Sequence, residues 1–221
     1  MSVKFLFGRL WKRFCIFFFA LFFTLSFAYA PILQRMEVYP IEGVFYFLVS
    51  TDERIEVGAE FVKLDGGAGY FLEDGGRTCV AVSVYLKEED AIAVSNDTAY
   101  QILQKGVDRL YFKGMEKRTA KERVAALELL KNYITILDGC ISRLEKGETQ
   151  ESCKRVLKIL EKQLLYAGNQ FVYYKQFSKL CAQFHDSLLR ITEDTIFLSS
   201  LRYLLCRQAD GYVRLCEEYR L

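Results

Sequence analysis

A change of apolar period near residue 114 constrains this chain more than any other feature. From residue 115 onward there is no proline, and Val124, Leu127, Leu130, Ile134, Leu137, Ile141 and Leu144 recur at threes and fours. At 3.6 residues per turn those positions share one helical face. Gly147 interrupts the stripe. A second stripe, Val156, Ile159, Leu160, Leu164, Ala167, Phe171 and Tyr174, begins beyond it, and its helix continues to about residue 189. Thr192 with Glu193 and Asp194 marks a new helix start. The third stripe is Ile196, Leu201, Leu204, Leu205, Tyr212, Leu215 and Tyr219. Three amphipathic helices of roughly 30, 40 and 25 residues with short turns predict an antiparallel three-helix bundle over 115–221.

Before the break the pattern is different. Residues 31–42 carry both prolines and read as a linker. Residues 44–50 are rich in aromatic and branched side chains, which predicts a strand. Asp52 is placed to cap a helix running to about residue 64, with Val57, Phe61, Val62 and Leu64 on its apolar side. Gly66 and Gly67 end it. Residues 68–73 and 77–86 flank Asp74-Gly75-Gly76, a hairpin signal because such turns need positive φ. Residues 87–105 read as helical, with Ser95, Asn96 and Asp97 as a point of interruption, and 107–112 as a last strand. The expectation for 43–113 is an α+β unit of order βαββαβ, with two helices on one face of the sheet and the other face open.

The N-terminus adds a third character. Residues 14–30 hold no charge and follow Lys4, Arg9, Lys12 and Arg13. As a helix this run spans roughly 25 Å, the low end for a bilayer crossing. Ala28-Tyr29-Ala30 also fits a signal-peptidase site, although Pro31 directly after it fits poorly. Residues 1–30 are therefore expected to be a signal anchor or signal peptide. The positive-inside bias places 31–221 outside the cytoplasm.

Composition narrows the function classes. The 221 residues hold 30 basic and 28 acidic side chains. A net charge of +2 disfavours a nucleic-acid binder relying on counterion release. Residues 31–113 are acidic (8 bases, 14 acids) and 114–221 basic (18 bases, 14 acids). A single histidine and the lack of any Cys-x-x-Cys spacing argue against a zinc site. Gly66-Gly67 and Gly75-Gly76 lack the P-loop lysine and the dinucleotide-binding spacing, so no cofactor is expected. His185 beside Asp186 lacks a nucleophile-elbow context, and Glu88, Glu89 and Asp90 suit a helix first turn. The chain reads as non-enzymatic.

The stretch GGAGYFLEDGGRTCVAVSVYLKEEDA, residues 66–91, resembles the middle of SPOR domains, the sporulation-related repeat, of Gram-positive bacteria. Gly67, Gly69, Tyr70, Gly75, Gly76, Val80, Tyr85, Asp90 and Ala91 carry the likeness. The resemblance implies a ferredoxin-like or RNP-like βαββαβ fold over about 43–113. It also implies binding of peptide-stripped peptidoglycan glycan strands at division or sporulation sites. The first strand departs from the family pattern: Phe47 stands where a glutamine usually faces glycan, and Val49 where glycine is usual.

By strand alternation Phe45, Phe47 and Val49 share one face. These are the candidate ligand-binding residues. Three occupants of that face remain open: glycan, an envelope protein, and a helix of this same chain. Helix-hairpin symmetry also pairs Cys140 with Cys153 across Gly147, and Cys181 with Cys206 across 193–194. Both are candidate disulfides in an exported protein, against the alternative of buried apolar thiols. Lys117, Arg118, Lys121 and Arg123 make a cationic helix start, by default a solvated face. Tyr166, Phe171, Tyr173, Tyr174 and Phe177 spread around the middle helix rather than along one stripe. The leading expectation is a membrane-anchored envelope protein that binds peptidoglycan glycan through the sheet face. The alternative is a protein–protein scaffold that uses the aromatic face and the bundle.

Overall fold

A computed structural model describes residues 36–50, 55–95, 100–193 and 195–220. The expected membrane segment, 14–30, lies outside them. No helix among the described residues is long and apolar enough to cross a membrane. The fold is α+β. Strands β1 (Met36–Ser50), β2 (Tyr70–Asp74), β3 (Arg77–Tyr85) and β4 (Tyr100–Lys113) form an antiparallel sheet of order β2-β3-β1-β4. Helices α1 (Ile55–Leu64) and α2 (Glu88–Ser95) complete the βαββαβ order, and α3 (Lys117–Glu145), α4 (Gln150–Gln170), α5 (Lys175–Glu193) and α6 (Leu198–Glu217) follow.

The hairpin forms where Asp-Gly-Gly predicted it: Asp74 pairs with Arg77 around Gly75 and Gly76, both at positive φ. Two boundaries differ from expectation. The supposed linker becomes strand from Met36, because residues 36–40 pair with 109–113 of β4. Pro40 is accommodated because the register shifts between Pro40 and Gly43 and because β3 reaches β1 only from Tyr46 onward. Proline, lacking an N–H, belongs at such a bulge on an unpaired edge. Gly106 faces that bulge at φ 141°, where a Cβ would collide with the Gly43 carbonyl oxygen. The helix expected over 87–105 stops at Ser95, and β4 begins at Tyr100.

The helical half holds four helices, not three. The expected 40-residue helix breaks at residues 171–174 into α4 and α5. Phe171 and Tyr174 kept the apolar spacing because both are buried at the corner, where they pack on Phe177 at 5.3 and 5.8 Å. Gly168 brings the two helices close, with the Ser178 hydroxyl donating to its carbonyl at 2.9 Å. Along the chain α3 packs on α4, α4 on α5 and α5 on α6, and α6 returns to α3.

Residue 114 therefore separates two patterns but not two cores. One apolar cluster runs from Phe45, Phe47, Leu110 and Phe112 of the sheet into Leu127, Leu164, Leu188 and Tyr212 of the helices. A smaller cluster, Ala59 and Val62 of α1 with Val80 and Val82 of β3, lies apart from it.

Candidate functional site

The predicted open face of the sheet is occupied. Helix α6 crosses it and packs on all four strands. Phe45 and Phe47 are 0% exposed and Val49 is 5% exposed. Phe45 meets Tyr212 of α6 edge to face, with centroids 5.6 Å apart, and Lys131 of α3 sits 5.1 Å over its ring. Burying each phenylalanine contributes about 1.5–3 kcal/mol. Phe45, Phe47 and Val49 are thus brought together on one face as predicted, but not as an exposed platform. Of the three occupants left open by sequence, the chain's own helix fills the place. The reason lies in the α6 stripe, which is buried through Leu201, Leu204, Leu205, Tyr212 and Leu215 and is apolar enough to satisfy both the other helices and the sheet.

The sheet curls around α6. Asp210, 2% exposed, accepts a hydrogen bond from the Tyr70 hydroxyl of β2 at 3.0 Å and pairs with Lys105 of β4 at 3.8 Å. It also pairs with Arg214 at 2.8 Å. Lys105 further donates to the Glu73 carbonyl of β2. Strands at opposite edges of the sheet thus converge on one buried carboxylate. Burial and the adjoining Asp210 push the Tyr70 phenol up, and Asp210 raises Arg214. A buried charge needs such partners to be tolerated. Nearby Gln208 is fully buried, and neither of its amide atoms has a hydrogen-bond partner among the described residues. No sequence stripe singled out Asp210 or Gln208. The only available signal was two polar residues inside an apolar helix face.

The C-terminus closes the other end of the sheet. The Tyr111 amide donates to the Tyr219 carbonyl at 2.8 Å, and the Phe112 and Tyr219 rings lie 4.5 Å apart. Arg123 lies over the Tyr174 and Tyr219 rings and donates to the Tyr219 hydroxyl. The default of a solvated cationic helix start therefore fails for Arg123. Lys117 reaches Glu37 at 3.8 Å and Arg118 reaches Glu122 at 3.1 Å.

The candidate disulfides are free thiols here. Cys140, Cys153, Cys181 and Cys206 are all buried and unbridged. The Cys153 thiol contacts the Cys140 carbonyl at 3.7 Å, so the hairpin symmetry does bring that pair's chain segments together. Cys181 instead lies against Gly168 of α4, and Cys206 is buried on α6. Equidistance from a turn sets height along a helix pair but not the face, and these two thiols are unbridged. Burial pushes the Cys181 thiol up to about 12 and raises Cys140, Cys153 and Cys206 as well, the direction apolar surroundings impose on a thiol.

His185 contacts Asp186 at 3.1 Å and Glu161 at 3.7 Å. No group of three or more His, Cys, Asp or Glu able to hold a metal occurs among the described residues. Two clefts remain. One, of about 470 Å³, lies beside the Pro40 bulge and carries Asp108, Glu128 and Lys131. Another, of about 370 Å³, lies between α1, α5 and α6 and carries Lys63, Arg190 and Arg207. Neither was marked by sequence, because each is assembled from residues far apart in the chain.

These features define a helix-sealed antiparallel sheet joined to a four-helix layer. No family model, no curated protein and no solved structure matches the chain.

Proposed function

We propose that the protein is a non-enzymatic scaffold of the cell envelope: a SPOR-type, ferredoxin-like sheet whose ligand face is taken up by its own last helix. The observation that carries this reading is the complete burial of Phe45 and Phe47 beneath α6. Glycan cannot stack on rings that no solvent reaches. The resemblance over residues 66–91, the βαββαβ order and the strand order β2-β3-β1-β4 support the fold assignment. The uncharged run at 14–30 supports membrane anchorage with residues 31–221 outside the cytoplasm. Partner contacts then fall to the exposed outer surfaces, where Tyr166 and Val172 stand 70% and 65% exposed.

The test is pelleting of the protein, in non-ionic detergent, with intact and with peptide-stripped peptidoglycan. The expected result is no preference for stripped glycan. Selective retention on stripped glycan would overturn the scaffold reading.

A second reading keeps the glycan site and makes α6 its lid. What favours it is the buried polar content of α6, namely the Asp210 ion cluster against the sheet and Gln208, whose amide atoms have no partner among the described residues. Its signature is faster amide exchange along α6 when stripped glycan is added. Unchanged exchange along α6 excludes it.

A further inference from the structure

The cleft between α1, α5 and α6 concentrates positive charge. It is lined by Lys63, Arg190 and Arg207 and by the hydroxyls of Ser187, Ser199 and Ser200. No carboxylate of a described residue lines it, and none of its three cations forms an ion pair with a described residue. By contrast Arg118, Arg143, Arg155, Arg202 and Arg214 each have a carboxylate within 4 Å. Three like charges repel one another unless an anion lies between them. The cations also come from three separate helices, so no single helix's charge pattern accounts for their meeting.

The geometry suits one anion class. Arginine presents a planar fork that grips two oxygens of a phosphate or carboxylate at once. Two forks, one ammonium and the hydroxyls of Ser199 and Ser200 exceed what a single carboxylate can use and match a tetrahedral oxyanion with several acceptor oxygens, while Ser187 donates to the Gln183 carbonyl at 2.8 Å. Arg207 is steered towards the cleft by a 3.5 Å contact to the Ser187 hydroxyl. Lys63 is held 5.7 Å over the Tyr203 ring, which itself meets Tyr70 edge to face. Ser199 and Ser200 stand in the first turn of α6, whose macrodipole adds positive potential. The volume, about 370 Å³, holds roughly a dozen waters at about 30 Å³ each, room for a phosphate and a small attached group.

We propose that this cleft binds the phosphate group of a phosphomonoester, either a soluble metabolite or a lipid headgroup. The site lies apart from Phe45, Phe47 and Val49 and does not depend on the scaffold reading.

The test is isothermal titration of the full chain in non-ionic detergent with inorganic phosphate and pyrophosphate, against sodium chloride at equal ionic strength. Saturable binding is expected, weakened about tenfold in Arg190→Gln and further in the Arg190→Gln/Arg207→Gln double variant. Circular dichroism checks that each variant is folded, and Lys63→Gln supplies an independent change on another helix. Glycerol 3-phosphate binding more tightly than a sugar phosphate identifies a headgroup as the source, and the reverse order identifies a soluble ester. A phosphate response no larger than that of chloride, or one unaltered in the folded double variant, overturns the proposal.

Discussion

The contact between Phe45 and Tyr212 joins sheet to helix directly, and a double-mutant cycle measures its energy. Both side chains are fully buried and their rings meet at 5.6 Å and 75°. Phe45→Leu removes the aromatic edge and leaves a small cavity, for an expected loss of about 1–2 kcal/mol. Tyr212→Leu costs a similar amount from the other side. Each single variant already abolishes the ring–ring contact, so the double variant should lose less than the sum. An edge-to-face pair is worth about 0.5–1.5 kcal/mol beyond its buried area, and that is the expected coupling. Urea unfolding of residues 31–221, followed by far-UV circular dichroism, gives the three values. With a slope of about 2–3 kcal/mol per molar urea, each single change lowers the midpoint by about 0.3–1 M. Additivity within about 0.3 kcal/mol would refute the inference that sheet and helix stabilise each other through this pair. So would two separate transitions in the unmodified protein.

Three further outcomes follow from the same packing. Gln208→Leu should raise stability by about 1–3 kcal/mol, because it removes buried amide atoms that lack partners; a lower urea midpoint would show that they are satisfied in solution. Burial, and then the Asp90 and Glu145 charges, push the Asp138 carboxyl up to about 6 from 3.8. Because the folded pKa lies above the unfolded one, this group costs nothing below about pH 4 and costs most once pH has risen through 6. After discounting for partial exposure, Asp138→Asn should stabilise by about 1–2 kcal/mol at pH 7.5 and by almost nothing at pH 4; a pH-independent difference would contradict the assignment. Gly106→Ala should destabilise by about 3 kcal/mol or more, since its Cβ would strike the Gly43 carbonyl oxygen at a positive φ; a melting temperature within a degree of the parent would show that the β1–β4 bulge is not held as described.

Local patterns announced most of the elements. Asp74-Gly75-Gly76 gave the hairpin because turn chemistry is local, and the Val124-to-Ile141 stripe gave α3 because helix period is local. The corner at 171–174 was hidden because Phe171 and Tyr174 are buried at the turn and so continue the spacing of the helices on either side. The strand over 36–40 was hidden because its partner among the described residues, 109–113, lies some seventy residues away. Alternation placed Phe45, Phe47 and Val49 on one face correctly. What covers that face depends on α6, more than 140 residues further on, which no local pattern could name. The cation cleft was illegible for the same reason, since Lys63, Arg190 and Arg207 become neighbours only after the helices dock.

The central claim is that the sheet has no stable free face and folds only together with α6. Expression of residues 36–113 alone tests it. The account predicts no cooperative thermal or urea transition for that fragment, because Phe45, Phe47, Leu110 and Phe112 would all be stripped of their helical cover, with native-like spectra returning when residues 115–221 are supplied in trans. A fragment that folds by itself, with a cooperative transition and protected β1 amides, would contradict the account and restore an open sheet face.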